Sequence, residues 1–322
     1  MNRVLITGVT GLLGRHTVRA LQRRVPDTQL VGLCRRPEPV DGVFQIPGAI
    51  ERPQAWAGHP KLDGVDTILH LAAKVDHSRG QAQETHRVNV DGTVAIVELA
   101  ARLGARVVFV STSGTVGVFD DPDGWADEQS PYVWHRVQHW PYYASKVRAE
   151  RQARARADEL GVPLIIVRPP ILLGPDDPTG RSARHVTRIL DGRLPALVEG
   201  GVHWVDVRAA AEALVTLASD PAPPPVVHLP GTACSLREFA DRIARIGGVR
   251  APQWVLPWRV VHTAARVQRR LALPIGIPDP VLVEMGRHWW GLRTRFADRL
   301  GWSPPDGDTT LRDTITWLRS RP

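Results

Sequence analysis

Val4-Leu5-Ile6-Thr7-Gly8-Val9-Thr10-Gly11-Leu12-Leu13-Gly14-Arg15 opens the chain with an apolar run, three glycines spaced three apart and the first residues of a helical pattern. Glycine at 8 allows a tight turn, at 11 it lets backbone N–H groups approach an anion, and at 14 it lets helix and strand lie close. The N-terminus of the helix then favours a pyrophosphate. A bare glycine pattern is weak; its place between a strand and a helix, beside residue 1, makes this one specific.

Outward from that turn, short β-branched runs alternate with Ala/Leu/Arg-rich segments of helical period, the pattern of a parallel sheet with crossover helices. Strands are expected at Val4 to Thr7, Leu30 to Cys34, Val43 to Ile46, Thr67 to Leu71, Val107 to Ser111, Leu164 to Arg168 and Val226 to Leu229. Seven strands suit an α/β, Rossmann-type doubly wound fold. The last third is Pro-punctuated, with helices expected near Leu236 to Ile246, Val260 to Leu271, Pro280 to Trp290 and Thr310 to Arg319, and a further helix at Ala209 to Ala218 precedes the Pro-rich loop Pro221 to Pro225. The division this suggests is a nucleotide-binding domain, 1–174 plus 204–230, and a smaller C-terminal substrate-binding lobe, 175–203 plus 231–322. The lobe is expected to cover the carboxyl ends of the strands, where such sheets bind ligands.

The 322 residues, 43% hydrophobic and 23% charged, exclude a mostly disordered chain, a collagen-like repeat and a coiled coil. A formal charge of +8 is left by 41 Lys and Arg against 33 Asp and Glu, and of the basic residues only Lys61, Lys74 and Lys146 are lysine. The arginines are scattered among Ala, Gly and Pro, and even the Arg148, Arg151, Arg154, Arg156 group reads as a solvated or subunit-contact face, so no nucleic-acid partner is expected. Cys34 and Cys234 fit neither a disulfide framework nor a metal-ligand spacing. No apolar run approaches the roughly 18 residues that span a bilayer. The reading is cytoplasmic, with a small-molecule substrate and no membrane partner.

After the second strand comes Cys34-Arg35-Arg36, with no carboxylate before Glu38. An acid there would hold a ribose 2′-hydroxyl, whereas guanidinium groups pair with a 2′-phosphate, and Arg15 can approach the same group from the helix start. NADP(H) is favoured and NAD(H) stays open.

Pro141-Tyr142-Tyr143-Ala144-Ser145-Lys146 carries the chemistry. Residues four apart share a helix face, so Tyr142 and Lys146 point the same way. With three Tyr and three Lys in the chain, a chance Tyr-x-x-x-Lys is expected about 0.03 times. A tyrosine hydroxyl titrates near 10 and needs a neighbouring positive charge to exchange protons near neutrality, which Lys146 supplies. A hydroxyl partner for the substrate oxygen comes from Ser111-Thr112-Ser113, Ser113 first and Thr112 as the fallback.

With these segments in place, the chain resembles the extended short-chain dehydrogenase/reductase family, which includes dihydroflavonol reductases, 3β-hydroxysteroid dehydrogenases and nucleotide-sugar epimerases. The likeness runs through Thr7 to Gly14, Asp66 to Ala73, Asn89 to Thr93, Ser111 to Gly114, Tyr142 to Lys146, Arg168 to Pro170 with Gly174-Pro175, Val205 to Arg208 and Leu300 to Pro304. The resemblance implies Tyr142 as general acid/base, Ser113 on the same substrate oxygen, Lys146 also on the nicotinamide ribose, and Asn89 as support for the active-site helix. It implies a cofactor bound by Thr7, Gly8, Thr10, Gly11, Leu12, Leu13, Gly14 and Arg15, by Arg35 and Arg36, by Ala49 and Ile50, and by Leu71, Ala72, Ala73 and Lys74. Asn89, Ser111, Thr112, Tyr142 and Lys146 complete the cofactor set, with Pro169 and Ile171 near the carboxamide. The Tyr142 to Leu160 helix is, by the same likeness, a place for homodimer packing.

The departures matter too. Gly48-Ala49-Ile50 lacks the carboxylate often placed on adenine, Ala209 stands where the reductase branch often has Asp, and Ser111-Thr112-Ser113 holds no acid of the sugar-dehydratase kind. The leading expectation is an NADP(H)-dependent oxidoreductase acting on a ketone or secondary alcohol of an apolar or aromatic substrate. The alternatives are a nucleotide-sugar epimerase with tightly bound NAD(+), its diphosphate met by Arg181, Arg184, Arg293 and Arg295, and a non-catalytic dinucleotide sensor. A thioester-reducing relative is a further branch. Among eleven tryptophans, Trp134 and Trp140 are candidates for the substrate wall, while Trp302 and Trp317 read as packing. His135 and His139 are four apart without a third ligand, so no metal is expected.

Overall fold

The computed structural model describes residues 1–194, 196–272 and 277–321; positions 195, 273–276 and 322 of the C-terminal lobe lie outside the described residues. Its strands, in chain order, are β1 (Arg3–Thr7), β2 (Gln29–Cys34), β3 (Val43–Pro47), β4 (Thr67–His70), β5 (Arg106–Val110), β6 (Val118–Phe119), β7 (Leu164–Arg168), β8 (Ile171–Leu173), β9 (Ala196–Val198), β10 (Gly201–Asp206), β11 (Val226–His228), β12 (Thr232–Ser235), β13 (Trp254–Leu256) and β14 (Trp289–Trp290). Seven of them form one parallel sheet in the order β11-β7-β5-β4-β1-β2-β3, the doubly wound arrangement read from the sequence. Chain direction across the sheet reverses between β1 and β4, the point at which such folds open a ligand crevice.

Strand residues alternate between two cores because successive side chains leave opposite faces of the sheet. Val4, Ile6, Val108 and Val167 meet one core under α1 (Leu12–Arg24) and α7 (Val207–Ser219). Leu5, Ile68, Val107, Phe109 and Ile166 meet the other, under α3 (Gly92–Leu103) and α5 (Pro141–Leu160). Burying one such side chain contributes about 1.5–3 kcal/mol. Two short helices, α2 (Ala82–His86) and α4 (Trp134–Val137), lie on loops at the carboxyl end of the sheet. The helix α5 starts on Pro141, where a missing N–H costs nothing, and stops at Gly161, whose φ of 68° is left-handed.

A third core joins Leu173, Val202, Trp204, Phe239, Leu311 and Ile315 between β8, β10 and β12 and the helices α6 (Arg184–Leu190), α8 (Leu236–Gly247) and α12 (Gly307–Ser320). Within it Ile171–Leu173 pair parallel with Trp204–Asp206, and Gly201–Trp204 pair antiparallel with Thr232–Ser235. Asp206 caps α7 through the Arg208 N–H, and Arg208 reaches on to Asp313, so the Val205 to Arg208 segment ties α7 to α12. The lobe also holds α9 (Trp258–Arg270), α10 (Pro280–Gly286) and α11 (Ala297–Leu300). The helix expected over Pro280 to Trp290 ends at Gly286: Trp289–Trp290 instead pair antiparallel with Val118–Phe119, which lays Trp290 against Trp140. Among the described residues no helix is long and apolar enough to cross a membrane.

Candidate active site

The glycine turn is built as the sequence requires. Gly8 has φ +71°, and a Cβ on it would come within 3.0 Å of the Ala72 backbone; a Cβ on Gly14 would lie 2.3 Å from the Gly8 carbonyl oxygen. Gly11 stands at the N-cap of α1 with no side-chain cap, and the first turn holds no acid. The early N–H groups of the helix therefore face outward without an intrahelical acceptor, a cradle that fits a dinucleotide pyrophosphate. The segments expected to bind cofactor, 8–15, 35–36, 49–50, 71–74, 111–113 and 169–171, all follow the carboxyl ends of β1, β2, β3, β4, β5 and β7, so the parallel sheet gathers them at one edge.

Their side chains divide into two groups. Arg35 and Arg36 are exposed, and Arg15 spans the gap to the same loop, with Nη2 2.9 Å from Glu38 Oε2. Thr7 is buried: its Oγ accepts the N–H groups of Leu71 and Ala72, each at 3.1 Å. Its own proton then goes to His70 Nδ1 at 2.8 Å, which leaves Nε2–H of His70 to donate to Thr93 at 3.0 Å and Thr93 to donate to the Asn89 carbonyl at 2.6 Å. Burial, with Lys146 adding to it, holds His70 neutral at about 3. Ile50 packs on Gly92, where a Cβ would lie 2.8 Å from Ile50 Cγ1, and the Ala49 carbonyl accepts the Trp56 indole N–H at 2.8 Å, so neither side chain offers adenine a polar group. The Lys74 ammonium is paired with Glu84.

Asn89 sits in a wide π-type turn, Arg87–Asp91, between α2 and α3. Its amide accepts from the Lys74 N–H at 2.7 Å and donates to the Lys74 carbonyl at 3.0 Å and to Ser145 Oγ at 2.9 Å; Ser145 donates to the Tyr142 carbonyl at 2.6 Å. One side chain thus fixes the loop after β4 to the first turn of α5. Lys146, 2% exposed, donates to the Val110 carbonyl at 2.8 Å and lies 4.7 Å from the Phe109 ring centroid. Desolvation pushes it down to about 7, against the pull of Glu150 in the other direction.

Desolvation pushes the Tyr142 hydroxyl up to about 12, opposed by a hydrogen bond with the Thr112 side chain. Of the two hydroxyls weighed from the sequence, Thr112 bears on the Tyr142 proton; Ser113 is buried on the same turn, its backbone N–H donating to the Pro169 carbonyl at 2.8 Å. The Ser111 hydroxyl is turned away from the cofactor edge, because it donates to Glu150. Glu150 and Arg168 form an ion pair at 0% and 4% side-chain exposure, joined by Tyr132 and by His228, which lies 3.3 Å from Arg168. Burial works against the Glu150 carboxylate, but Arg168, Ser111 and Tyr132 outweigh it and hold its pKa below the usual range.

Sequence reasoning missed the wall facing Tyr142. The His77 ring is edge-on to Tyr142 at 5.5 Å and tilted on Tyr143 at 5.6 Å, and its buried Nδ1 has no partner among the described residues. Desolvation holds His77 neutral at about 4. Its position just beyond Ala72 and Ala73, at the switch point of the sheet, was the available signal. Tyr143 covers Gly114, where a Cβ would come 2.1 Å from the ring, and tilts against Trp290 at 5.3 Å, which in turn stacks on Trp140 at 6.1 Å. Trp134 lies beneath Arg148 instead, Trp302 donates to the Pro230 carbonyl, and Trp317 sits beneath Arg321. His135 and His139 are exposed, and among the described residues no three His, Cys, Asp or Glu converge for a metal. Of the arginines considered for a sugar diphosphate, Arg295 is paired with Asp127 and Arg293 lies over Trp125.

The profile of the NAD dependent epimerase/dehydratase family matches residues 4–228. The chain is 28% identical to the sterol demethylase protein B of Methylococcus capsulatus over 98% of both chains. It is 27% identical to a 3-beta-hydroxysteroid dehydrogenase of Mycolicibacterium neoaurum over 88% of this chain and 80% of that one. The crystal structure of gox2253 superposes with a TM-score of 0.83 at 25% identity, covering 99% of this chain and 98% of that one. Profile, full-length relatives and the Tyr142, Lys146 and glycine-turn geometry agree: the chain belongs to the NAD-dependent epimerase/dehydratase family and is an NAD(P)-dependent enzyme of the extended short-chain dehydrogenase/reductase type.

Proposed function

We propose that the protein is an NADP(H)-dependent reductase that interconverts a ketone and a secondary alcohol on an apolar, polycyclic or aromatic substrate. The observation that carries the reading is the Tyr142 hydroxyl, protonated and set against Thr112 in a wall of His77, Tyr143 and Trp290. A protonated phenol is the form that donates to a carbonyl oxygen, and an aromatic wall excludes water from a substrate of matching character. The relatives named for sterol and hydroxysteroid chemistry support that substrate class.

A nicotinamide dinucleotide held on the glycine turn supplies or accepts the hydride. The protein does the rest: Tyr142 gives or takes the proton, Thr112 fixes the direction of its O–H, and the Lys146 ammonium favours the negative charge that develops as that proton leaves. Asn89 holds the first turn of α5 so that these groups keep their spacing. Arg35 and Arg36 stand open at the end of β2 while Glu38, the first acid after that strand, is held by Arg15; that arrangement favours a 2′-phosphate over a free ribose hydroxyl.

The test is to denature the purified protein, identify any released nucleotide, and titrate the emptied protein with NADPH and NADH. Selection of NADPH, weakened by Arg35→Glu, supports the reading. Tightly held NAD(+) that does not exchange refutes it in favour of the epimerase.

A further inference from the structure

The segment between Asp241 and Asp279 contains seven arginines and no carboxylate side chain. It includes β13 and α9, and both present apolar residues to solvent. Trp254 is 68% exposed, with Val255 and Leu256 beside it on the strand. On α9 only Ala265 is buried. Val260, Ala264, Val267 and Leu271 recur at the spacing of one helical stripe; Val260, Val267 and Leu271 are exposed, and Arg259, Arg266 and Arg270 lie along one flank. The other side of the helix packs on α10, and the Gln268 amide clasps the Ile277 backbone through two 2.9 Å hydrogen bonds.

We propose that β13 and α9 form a docking surface for the anionic face of a lipid bilayer. Exposed tryptophan and aliphatic residues flanked by arginines match the headgroup boundary, where apolar tips enter and guanidinium groups remain with the phosphates. Charge selects among occupants: a second copy of the same face would set arginines against arginines. The sequence argued against a membrane because no run is long enough to span one, but a helix lying in the interface needs no such run. Beside the arginine flank, a cavity of about 710 Å³ opens between α9, α10 and Arg79, lined by His262, Arg266, Val267, Pro280 and Glu284. The docking stands apart from the reductase reading.

The experiment is co-sedimentation of the full chain with phosphatidylcholine vesicles and with equimolar phosphatidylcholine and phosphatidylglycerol vesicles. Binding to the anionic vesicles alone is expected, weakening as salt rises from about 0.05 to about 0.5 M. Arg266→Gln and Arg270→Gln should each weaken partition about fivefold, and Val260→Asp with Val267→Asp should abolish it. No binding to anionic vesicles, or equal binding to both kinds without salt dependence, overturns the proposal. A change of solution mass in the aspartate variant also overturns it, assigning the face to a second copy. If that variant melts early, the two glutamine variants decide.

Discussion

Glu150→Gln removes the charge of the carboxylate that faces the buried Arg168 guanidinium. Glu150 is 0% exposed, and it receives Arg168 Nε at 3.2 Å on both oxygens as well as Nη2 and the Ser111 hydroxyl. Leaving one partner of such a pair buried and uncompensated costs about 3–5 kcal/mol. At roughly 2 °C per kcal/mol for a chain of this size, Tm should fall by about 6–10 °C. Because the pair is shielded from solvent, the fall should be the same at low and high salt. The sign with pH follows from the depressed Glu150 carboxyl: the advantage of the natural residue is present above the ordinary glutamate range and fades as pH drops through its lowered value. A second readout is catalytic. Glu150 lies one helical turn beyond Lys146 and raises its pKa, so the variant should carry a Lys146 that loses its proton at lower pH than about 7, shifting the alkaline fall of ketone reduction toward acid. Thermal melts by circular dichroism and a pH–rate profile decide the matter. A Tm within about 1 °C of the natural protein, or a profile that does not move, would refute the account of a buried charge network wired to Lys146.

Thr112→Val should lower kcat about 10²-fold with little change in cofactor affinity, while Ser113→Ala should cost less than about tenfold, because Thr112 is the hydroxyl that meets Tyr142; steady-state kinetics with either ranking reversed would restore Ser113 to the role. Gly14→Ala should weaken nucleotide binding by at least about tenfold, since its Cβ would sit 2.3 Å from the Gly8 carbonyl and push α1 off the turn; fluorescence titration of bound NADPH measures it. Tyr142, pushed up to about 12, stays protonated across neutrality, so the alkaline fall of reduction should follow Lys146 at about 7 and not the phenol, whereas alcohol oxidation should climb with pH toward the phenolate; initial rates in both directions test the sign.

What the sequence determined on its own is what local spacing carries. Three glycines between a strand and a helix, short β-branched runs, and a tyrosine four residues before a lysine each specify geometry within a few residues, and all seven sheet strands lie where those patterns placed them to within a residue or so. Parallel pairing then brought every expected cofactor segment to one edge, because each follows the carboxyl end of its strand. Tertiary packing decided the rest. Which acceptor the Ser111 hydroxyl finds and which ring faces the active site depend on elements distant in the chain: Glu150 on α5, His77 beyond β4, and the Trp289–Trp290 strand paired with Val118–Phe119. Gly286 ends the helix that periodicity extended to Trp290, and the strand beyond it supplies the tryptophan that backs Tyr143. A hydroxyl has several acceptors within reach of its own turn, and only the arrangement of neighbours from other elements, each burying or desolvating the others, leaves it one.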